Sequence, residues 1–353
     1  MRSGSLRPVA VLAATCLIFG LTGPRAARAL DVERPEVRRF IEHMVRDDGF
    51  KHGALKRLLR TARKQDSIID AMNRPAEKAK LWYEYRQIFL TEKRIRDGTD
   101  FWVAHREELE RAAADTDVAP EYIVAILGVE TQYGRQTGRY RVLDALATLA
   151  FDYPERAPFF TSELEQFLLM AREDRIDPRT ATGSYAGAMG APQFMPSSYR
   201  RFGMDGDGDG KIDLWSNWPD VFHSIGNYFR AHGWELYAPL MYEAELAPPR
   251  ILASDGRRFN LDETVGSMRE QGVLLSEAAP DSAAAGMIAV DRPDGLGWRV
   301  GLKNFYVITR YNRSSLYAMA AGELAAALRY HVDHERLPVP DDITGASVLE
   351  LPW

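Results

Sequence analysis

Cysteine is almost absent from this chain of 353 residues, whose only example is Cys16. One cysteine cannot form an intramolecular disulfide, and Cys16 lies in an N-terminal segment that we expect to be removed. The mature chain then has no thiol, which excludes disulfides, thiolate metal sites and a cysteine nucleophile. Lipid attachment is also disfavoured, because Cys16 follows Ala-Ala-Thr and the apolar run continues beyond it.

An excess of positive charge is lacking too. The chain has 45 lysines and arginines against 50 aspartates and glutamates, and it has no basic block interleaved with aromatic residues. We therefore expect no nucleic-acid partner. The sequence also has no G-x-S-x-G or H-E-x-x-H motif, and its seven histidines are scattered, which disfavours the common serine and zinc hydrolases.

Long hydrophobic runs are limited to one short stretch at the N-terminus. Residues 1–7 are basic, residues 9–21 form an apolar run of 13, and Ala27, Arg28 and Ala29 supply a small-x-small cleavage site. Crossing a bilayer takes about 20 residues. The pattern therefore predicts a signal peptide over residues 1–29, cleaved after Ala29, and no stable membrane anchor.

The remaining composition, 46% hydrophobic and 27% charged, is that of a soluble globular chain of two or three domains. We predict a mainly α fold of the α+β class. Apolar residues at helical steps predict one helical domain from residues 30–114 and 305–353, and a second helical region at 115–235. Segments rich in β-formers predict a small β domain at 236–304: MYEAEL, GMIAV, GWRVGL and NFYVIT.

The stretch VAILGVETQYG places Glu130 where a hydrophobic residue is expected. Ile123, Ile126 and Leu127 recur at helical steps, and Glu130 falls on the same face. We expect Asp117 to cap this helix, with Pro120 in its first turn and Gly134 as its stop. An inward carboxylate must find a partner, become protonated or face a cleft. A structural, hydrogen-bonded role and proton chemistry both remain open on this pattern alone.

The segment DGDGDGKID matches a calcium-binding loop. Asp205, Asp207 and Asp209 occupy its positions 1, 3 and 5, a glycine occupies position 6, Lys211 would offer its carbonyl and Asp213 fills position 9. Position 12 is a serine, so we expect Asp220 to supply the closing ligand. We expect a structural Ca²⁺, with a solvated acidic turn as the alternative.

Two further stretches are less specific. SYAGAMGAPQFMPSSY combines glycines with Ser184 and Gln193, and its loop is predicted to lead into a helix at Pro196. RYNRSSLY contains Tyr311 and Asn312, which either contact a ligand or cap the last helix. Neither stretch identifies a function alone.

Taken together, five segments resemble the lytic murein transglycosylase B family in their order and spacing: GVETQYG, SYAGAMGAPQFMPSSY, DGDGDGKIDLW, IGNYFRAHGW and NFYVITRYNRS. The resemblance covers about residues 35–335. It implies a lysozyme-like helical core at 115–235, flanked by the helical domain and the small inserted β domain. It also implies a non-hydrolytic glycan lyase of the lytic exotransglycosylase type that acts on peptidoglycan, although exo or endo action stays open.

The resemblance assigns Glu130 as the only catalytic acid and base. Desolvation in a partly apolar cleft is expected to raise its pKa, so that it first donates a proton and then accepts one. The 6-hydroxyl of N-acetylmuramic acid then closes a 1,6-anhydro end. Residues at matching positions are expected to line the sugar groove: Ser184, Gln193, Tyr228, Tyr311, Asn312 and Tyr317.

The resemblance also implies no cofactor for the chemistry and a structural Ca²⁺ in the loop described above, held by Asp205, Asp207, Asp209, Lys211, Asp213 and Asp220. Peptidoglycan strands in the periplasm are the expected partner, and proteins of cell-wall synthesis or division are further candidates.

Two alternatives from other classes remain. A hydrolytic muramidase would need a second carboxylate opposite Glu130, for which Asp144, Asp152 and Glu163 are candidates. A non-catalytic protein that binds or scaffolds peptidoglycan would not need the acid.

Overall fold

The computed structural model describes residues 28–73, 80–248 and 259–334. Its N-terminal part is helical, as predicted. Strands β1 (Arg28–Ala29) and β2 (Arg63–Lys64) form a short antiparallel pair beside the first helices. These helices are α1 (Pro35–Arg46), α2 (His52–Leu59), α3 (Asp66–Met72), α4 (Trp82–Phe89), α5 (Glu92–Ala104) and α6 (Arg106–Thr116).

The middle of the chain contains a second group of helices. Strands β3 (Tyr140–Arg141) and β4 (Thr182–Gly183) pair between them, and a 3-10 turn spans Pro154–Arg156. The helices are α7 (Pro120–Thr131), α8 (Val142–Asp152), α9 (Ala157–Glu173), α10 (Pro196–Phe202) and α11 (Trp218–Ala231). Helices α8 and α7 are buried along most of their length, and they form the centre of the hydrophobic core.

A five-stranded antiparallel sheet follows, in the order β6-β8-β9-β5-β7. It has a small hydrophobic cluster of its own around Val265 and Val300. The strands are β5 (Met241–Leu246), β6 (Glu263–Thr264), β7 (Val273–Leu275), β8 (Ala284–Arg292) and β9 (Gly295–Gly301), with the short helix α12 (Val265–Glu270) after β6. MYEAEL, GMIAV and GWRVG are therefore strands, as predicted.

The chain then returns to helix in α13 (Lys303–Tyr311) and α14 (Ser315–Asp333). Helix α14 packs on α7, α5, α4 and α13, and most of its residues are buried. A helix that is apolar on nearly all sides belongs in the interior. The fold is mainly α with a small sheet, which confirms the predicted class.

Two local predictions were wrong. NFYVIT is part of α13, because packing of Phe305, Val307 and Ile308 into the core outweighs the β propensity of the branched residues. Asp117 does not cap α7. It ends α6 in a left-handed conformation with φ 58°, while Ala119 is the N-cap residue of α7 and Pro120 begins it as predicted.

The predicted signal peptide lies outside the described residues, except for Arg28 and Ala29. Within the part of the chain that the structure describes, no helix combines the length and the apolar character needed to cross a membrane.

Candidate active site

Glu130 lies near the C-terminal end of α7, where its side chain is half-buried. The preceding residues on its face, Ile126 and Leu127, are buried. The hydroxyl of Tyr317 donates a hydrogen bond of 2.7 Å to Oε1 of Glu130. Tyr317 is only 2% exposed and projects from the first turn of α14. The carboxyl group is therefore held in one orientation by the packing of α7 against α14.

The backbone directly after Glu130 is strained. Gln132, Tyr133 and Gly134 have successive φ values of 51°, 60° and 79°. Left-handed conformations cost L-residues roughly 1–2 kcal/mol each, so neighbouring contacts must hold this turn. Thr131 Oγ accepts from the Gly134 amide at 3.0 Å and donates to the Ala191 carbonyl at 2.9 Å.

Two glycines make room for the ring of Tyr133. A Cβ on Gly98 would lie 2.3 Å from the Tyr133 hydroxyl oxygen, and one on Gly128 would lie 2.8 Å from it. Tyr133 in turn donates to the Arg94 carbonyl at 2.8 Å. These residues were missed by the sequence reasoning. The only signal was local, since Gly128 and Tyr133 belong to the GVETQYG segment itself.

The glycine-rich loop brings Ser184 and Gln193 to the same region of the core. Ser184 Oγ accepts from the amides of Ala186 and Ala188, at 3.3 and 3.1 Å. Gln193 has a left-handed φ of 52°, and its Nε2 donates to the Gly190 carbonyl at 2.8 Å. Among the described residues, the Ser184 hydroxyl proton and Gln193 Oε1 have no hydrogen-bond partner. They are available to a ligand.

Two of the predicted groove tyrosines, Tyr228 and Tyr311, belong to one aromatic cluster. The rings of Tyr228 and Tyr311 meet edge to face at 4.9 Å between centroids. Tyr311 donates to the Pro192 carbonyl at 2.5 Å, and Tyr228 donates to the Arg310 carbonyl at 2.6 Å. With Tyr317 bonded to Glu130, all three hydroxyls therefore position protein groups. These hydroxyl protons are therefore engaged within the protein.

Asn312 ends α13 and accepts from the Ser314 amide through Oδ1 at 3.1 Å. Ser314, rather than Asn312, caps α14 by accepting from the Tyr317 amide at 3.3 Å. Asn312 therefore stabilises the turn before the cap. Its position between Tyr311 and the α14 turn keeps it close to the Glu130 partner.

The tyrosines around Glu130 remain protonated. Burial, and next the negative charge of Glu130, raises the pKa of Tyr317 well above 10. The same two causes, in the same order, raise the pKa of Tyr311. Tyr317 is thus a hydrogen-bond donor over the whole range of pH in which an enzyme would work.

The three carboxylates considered for a hydrolytic reaction are engaged elsewhere. Asp144 is paired with Arg141 and accepts from the Arg63 amide. Asp152 is paired with Arg34 and Lys64. Glu163 accepts from the amide and the hydroxyl of Ser197. Burial raises the pKa of Glu163. These contacts engage both oxygens of Asp144 and of Glu163, and one oxygen of Asp152, whose Oδ2 is buried without a hydrogen-bond partner among the described residues.

The acidic loop brings together three of its six predicted metal ligands. Carboxylate oxygens of Asp205, Asp207 and Asp209 lie within 4.8 Å of one another. Asp213 instead accepts from two following amides and the Ser216 hydroxyl, and Asp220 accepts from the amides of Gly206 and Asp213 at 2.7 Å each. Oxygen ligands in this arrangement suit Ca²⁺. Asp220 is fully buried and braces the loop.

Fold and site together define a class: a mainly helical protein in which one oriented carboxyl group stands among amide and aromatic groups suited to a saccharide. The family model of the transglycosylase SLT domain matches residues 33–326. The chain belongs to this family.

One curated protein and three solved structures are similar to this chain over most of its length. Membrane-bound lytic murein transglycosylase B of Escherichia coli is 39% identical over 303 residues, which are 83% of this chain and 82% of that protein. Soluble lytic transglycosylase SltB1 of Pseudomonas aeruginosa is 46% identical over 84% of this chain and 99% of its own, with a TM-score of 0.79.

Some of the similar structures contain ligands. Escherichia coli lytic transglycosylase Slt35 in complex with calcium is 37% identical, with a TM-score of 0.77, and the match covers 89% of this chain and all of that chain. SltB3 of Pseudomonas aeruginosa in complex with NAG-anhNAM-pentapeptide is 27% identical, with a TM-score of 0.71, over 83% of this chain and 78% of its own.

Proposed function

We propose that this protein is a lytic transglycosylase that cleaves the β-1,4 bond between N-acetylmuramic acid and N-acetylglucosamine in peptidoglycan and leaves 1,6-anhydro ends. The observation that carries the proposal is the half-buried carboxyl of Glu130, held by Tyr317 beside the glycine-rich loop. The names of the relatives and the anhydro-sugar ligand of SltB3 support it.

Glu130 would act first as an acid and then as a base. In the first step it donates its proton to the glycosidic oxygen, so that the bond to C1 of N-acetylmuramic acid breaks and the leaving sugar departs with a hydroxyl group. The N-acetyl group stabilises the positive charge that develops at C1. In the second step the Glu130 carboxylate takes the proton from the 6-hydroxyl, whose oxygen forms the new bond to C1.

The closing step needs no water. The 6-hydroxyl is part of the same sugar, so its effective concentration at C1 is far above that of an external nucleophile in the same geometry. A hydrolase would place a second carboxylate to activate water. Asp144, Asp152 and Glu163 are bonded to other groups, which favours the intramolecular reaction.

We propose sugar contacts through the polar atoms and rings that are not already engaged in hydrogen bonds within the protein. Ser184 and Gln193 supply a hydroxyl proton and an amide oxygen, and Asn312 supplies its amide nitrogen. The rings of Tyr228 and Tyr311 form an apolar wall, and Tyr317 orients the acid. Two tyrosines thus line the site through their rings.

We also propose that the acidic loop holds a structural Ca²⁺ through Asp205, Asp207 and Asp209, with Lys211 contributing its carbonyl and Asp213 and Asp220 bracing the loop. The ion would fix the loop and take no part in proton transfer. The calcium complex of Slt35 supports this assignment. An exported enzyme of the periplasm fits the substrate.

The test is mass spectrometry of the soluble products that the purified protein releases from peptidoglycan. We expect 1,6-anhydromuramic ends from the wild type and at least about a 100-fold loss for Glu130→Gln, because a general acid of this type contributes about 100- to 10,000-fold. The matched control is Glu121→Gln, a glutamate of the same helix that pairs with Arg329 instead.

Each contrary outcome identifies a different function. Products one water heavier, with reducing ends, would mean a hydrolase. Wild-type turnover by Glu130→Gln would remove Glu130 from the reaction. Binding to peptidoglycan without any product would favour the non-catalytic role.

A further inference from the structure

A second group of ligand-type side chains lies between α1 and α9, outside the candidate active site. It consists of His43 at the end of α1, Asp48 just after it and Glu165 on α9. One ligand atom of each lies within 4.8 Å of the others, and all three side chains are half-buried. We propose that this cluster is a zinc site that clamps α1 to α9.

The orientation of His43 supports metal binding. Its Nδ1 lies 2.6 Å from Asp47 Oδ2, which fixes the ring and turns Nε2 towards Glu165. A carboxylate on the far nitrogen is the usual partner of a metal-binding histidine, because it sets the tautomer and increases the basicity of the ligand nitrogen. His43 is thus arranged with a supporting group on one side and two carboxylates on the other.

The distance between the first two ligand atoms also fits. His43 Nε2 and Glu165 Oε2 are 3.2 Å apart. Two ligands bound to tetrahedral zinc at its usual bond lengths are about 3.3 Å apart. The separation therefore suits a shared zinc ion, and a carboxylate oxygen of Asp48 lies within 4.8 Å of both atoms as a third ligand.

A simple ion pair between His43 and Glu165 does not explain the carboxylate of Asp48. Its Oδ2 is buried and has no hydrogen-bond partner among the described residues. A protonated His43 would satisfy Glu165 but would leave this oxygen unpaired, which is costly for a carboxylate. The loop that bears Asp48 is held against α9, since Arg172 donates to the Asp48 carbonyl at 2.6 Å. The backbone that carries Asp48 is therefore held beside α9, and one of its carboxylate oxygens lies within 4.8 Å of the ligand atoms of His43 and Glu165.

The ligand set favours zinc over calcium. One imidazole and two carboxylates match the nitrogen and oxygen ligands of Zn²⁺, whereas Ca²⁺ prefers oxygen alone and binds more of it. Water would complete the fourth position, as expected for three protein ligands. The positively charged guanidinium of Arg172 lies nearby and repels the ion. The affinity for zinc would therefore be lower than that of a structural site closed by four protein ligands.

The experiment titrates the full chain with zinc chloride by calorimetry, in saturating calcium so that the acidic loop is occupied. We expect one zinc per chain, and a melting temperature that rises by at least about 2 °C. His43→Gln should lower the affinity at least tenfold, and Asp47→Asn should lower it about 10- to 100-fold by removing the support of the ring. The matched control is His52→Gln, an exposed histidine on α2 that should bind zinc like the wild type.

The proposal fails if the wild type shows no zinc-dependent heat or melting shift, or if His43→Gln and the wild type bind zinc equally. Should His43→Gln not fold, Glu165→Gln and Asp48→Asn test the same ligands with nearly unchanged side-chain shape. Stabilisation by calcium but not by zinc at this cluster, in an Asp205→Asn background, would also overturn it.

Discussion

The hydroxyl of Tyr317 orients the proposed catalytic carboxyl group. It donates to Glu130 Oε1 at 2.7 Å from a ring that is almost wholly buried. A donor at this position stabilises the charged form of the carboxyl group, which is the form that must act as the base. Tyr317 is therefore a positioning residue whose effect is transmitted through Glu130.

We predict that Tyr317→Phe lowers kcat by about 10- to 100-fold with little change in KM, the cost of one hydrogen bond to a charged group. Tyr317→Phe also removes a hydrogen bond that favours the charged carboxylate over the neutral acid. Because the acid must be protonated for the first step, the basic limb of the pH profile of kcat/KM should move to higher pH. The profile is measured from the release of soluble muropeptides.

The control for this change is Tyr153→Phe, whose hydroxyl lies 3.2 Å from a carboxylate oxygen of Glu155. It removes a tyrosine hydroxyl that also contacts Asn73 and lies away from the candidate site, and it should leave both limbs of the profile in place. An unchanged profile for Tyr317→Phe would show that the contact has only a structural role.

For single residues, the sequence predicts which way a side chain faces better than it predicts which residue that side chain contacts. Helical spacing alone indicates that Glu130 faces inward, because the period is a local property. Tyr317 is 187 residues away in the chain, so only the packing of α14 on α7 makes it the partner. The resemblance gave Tyr317 a place in the groove, but its bond to the acid required the structure.

Among the local elements, the acidic loop was predicted most completely from the sequence. Its three alternating aspartates cluster as the spacing predicts, and Gly208 and Gly210 take the left-handed φ values, 77° and 83°, that the tight turns need. The closing residue was less predictable. Asp220 comes from the first turn of α11 and holds two loop amides, a contact that depends on where the helix docks.

We predict that calcium raises the melting temperature of the wild type and that Asp205→Asn abolishes this effect, because the first ligand of the loop is lost. Activity measured well below the melting temperature should be the same with calcium and with a chelator. Differential scanning calorimetry over a calcium series makes the measurement.

Asp294→Asn serves as the matched control, because Asp294 is an exposed aspartate in the turn between β8 and β9. It should keep the full calcium response. A melting curve that millimolar calcium leaves unchanged in the wild type would count against a metal-binding loop.

For the whole molecule, the sequence predicted a layout of helices, sheet and returning helix but could not show how these parts are joined. Glu323 of α14 is 2% exposed and is paired with Arg86 of α4 and with Arg299 of β9, whose Nη2 lies 2.8 Å away. Arg299 also donates to Glu243 of β5 at 2.6 Å. This buried network links the sheet and an N-terminal helix to the helix that carries Tyr317.

We predict that Glu323→Gln destabilises the protein by about 3–5 kcal/mol, the usual cost of removing one partner from a buried ion pair. The loss arises because Arg86 and Arg299 keep their charges without the shared carboxylate. Arg299 is already incompletely satisfied, since its Nη1 is buried without a hydrogen-bond partner in the described part of the chain. The midpoint of urea unfolding, followed by circular dichroism, measures the change.

Glu245→Gln provides the comparison, because Glu245 lies on β5 two residues from Glu243 and is exposed. A surface change of this kind should alter the free energy of unfolding by no more than about 0.5 kcal/mol. Equal urea midpoints for Glu323→Gln and the wild type would show that the network adds nothing to stability. A lower midpoint that appears only in a transition of the sheet would instead show that Glu323 secures the sheet to α14 without supporting the helices.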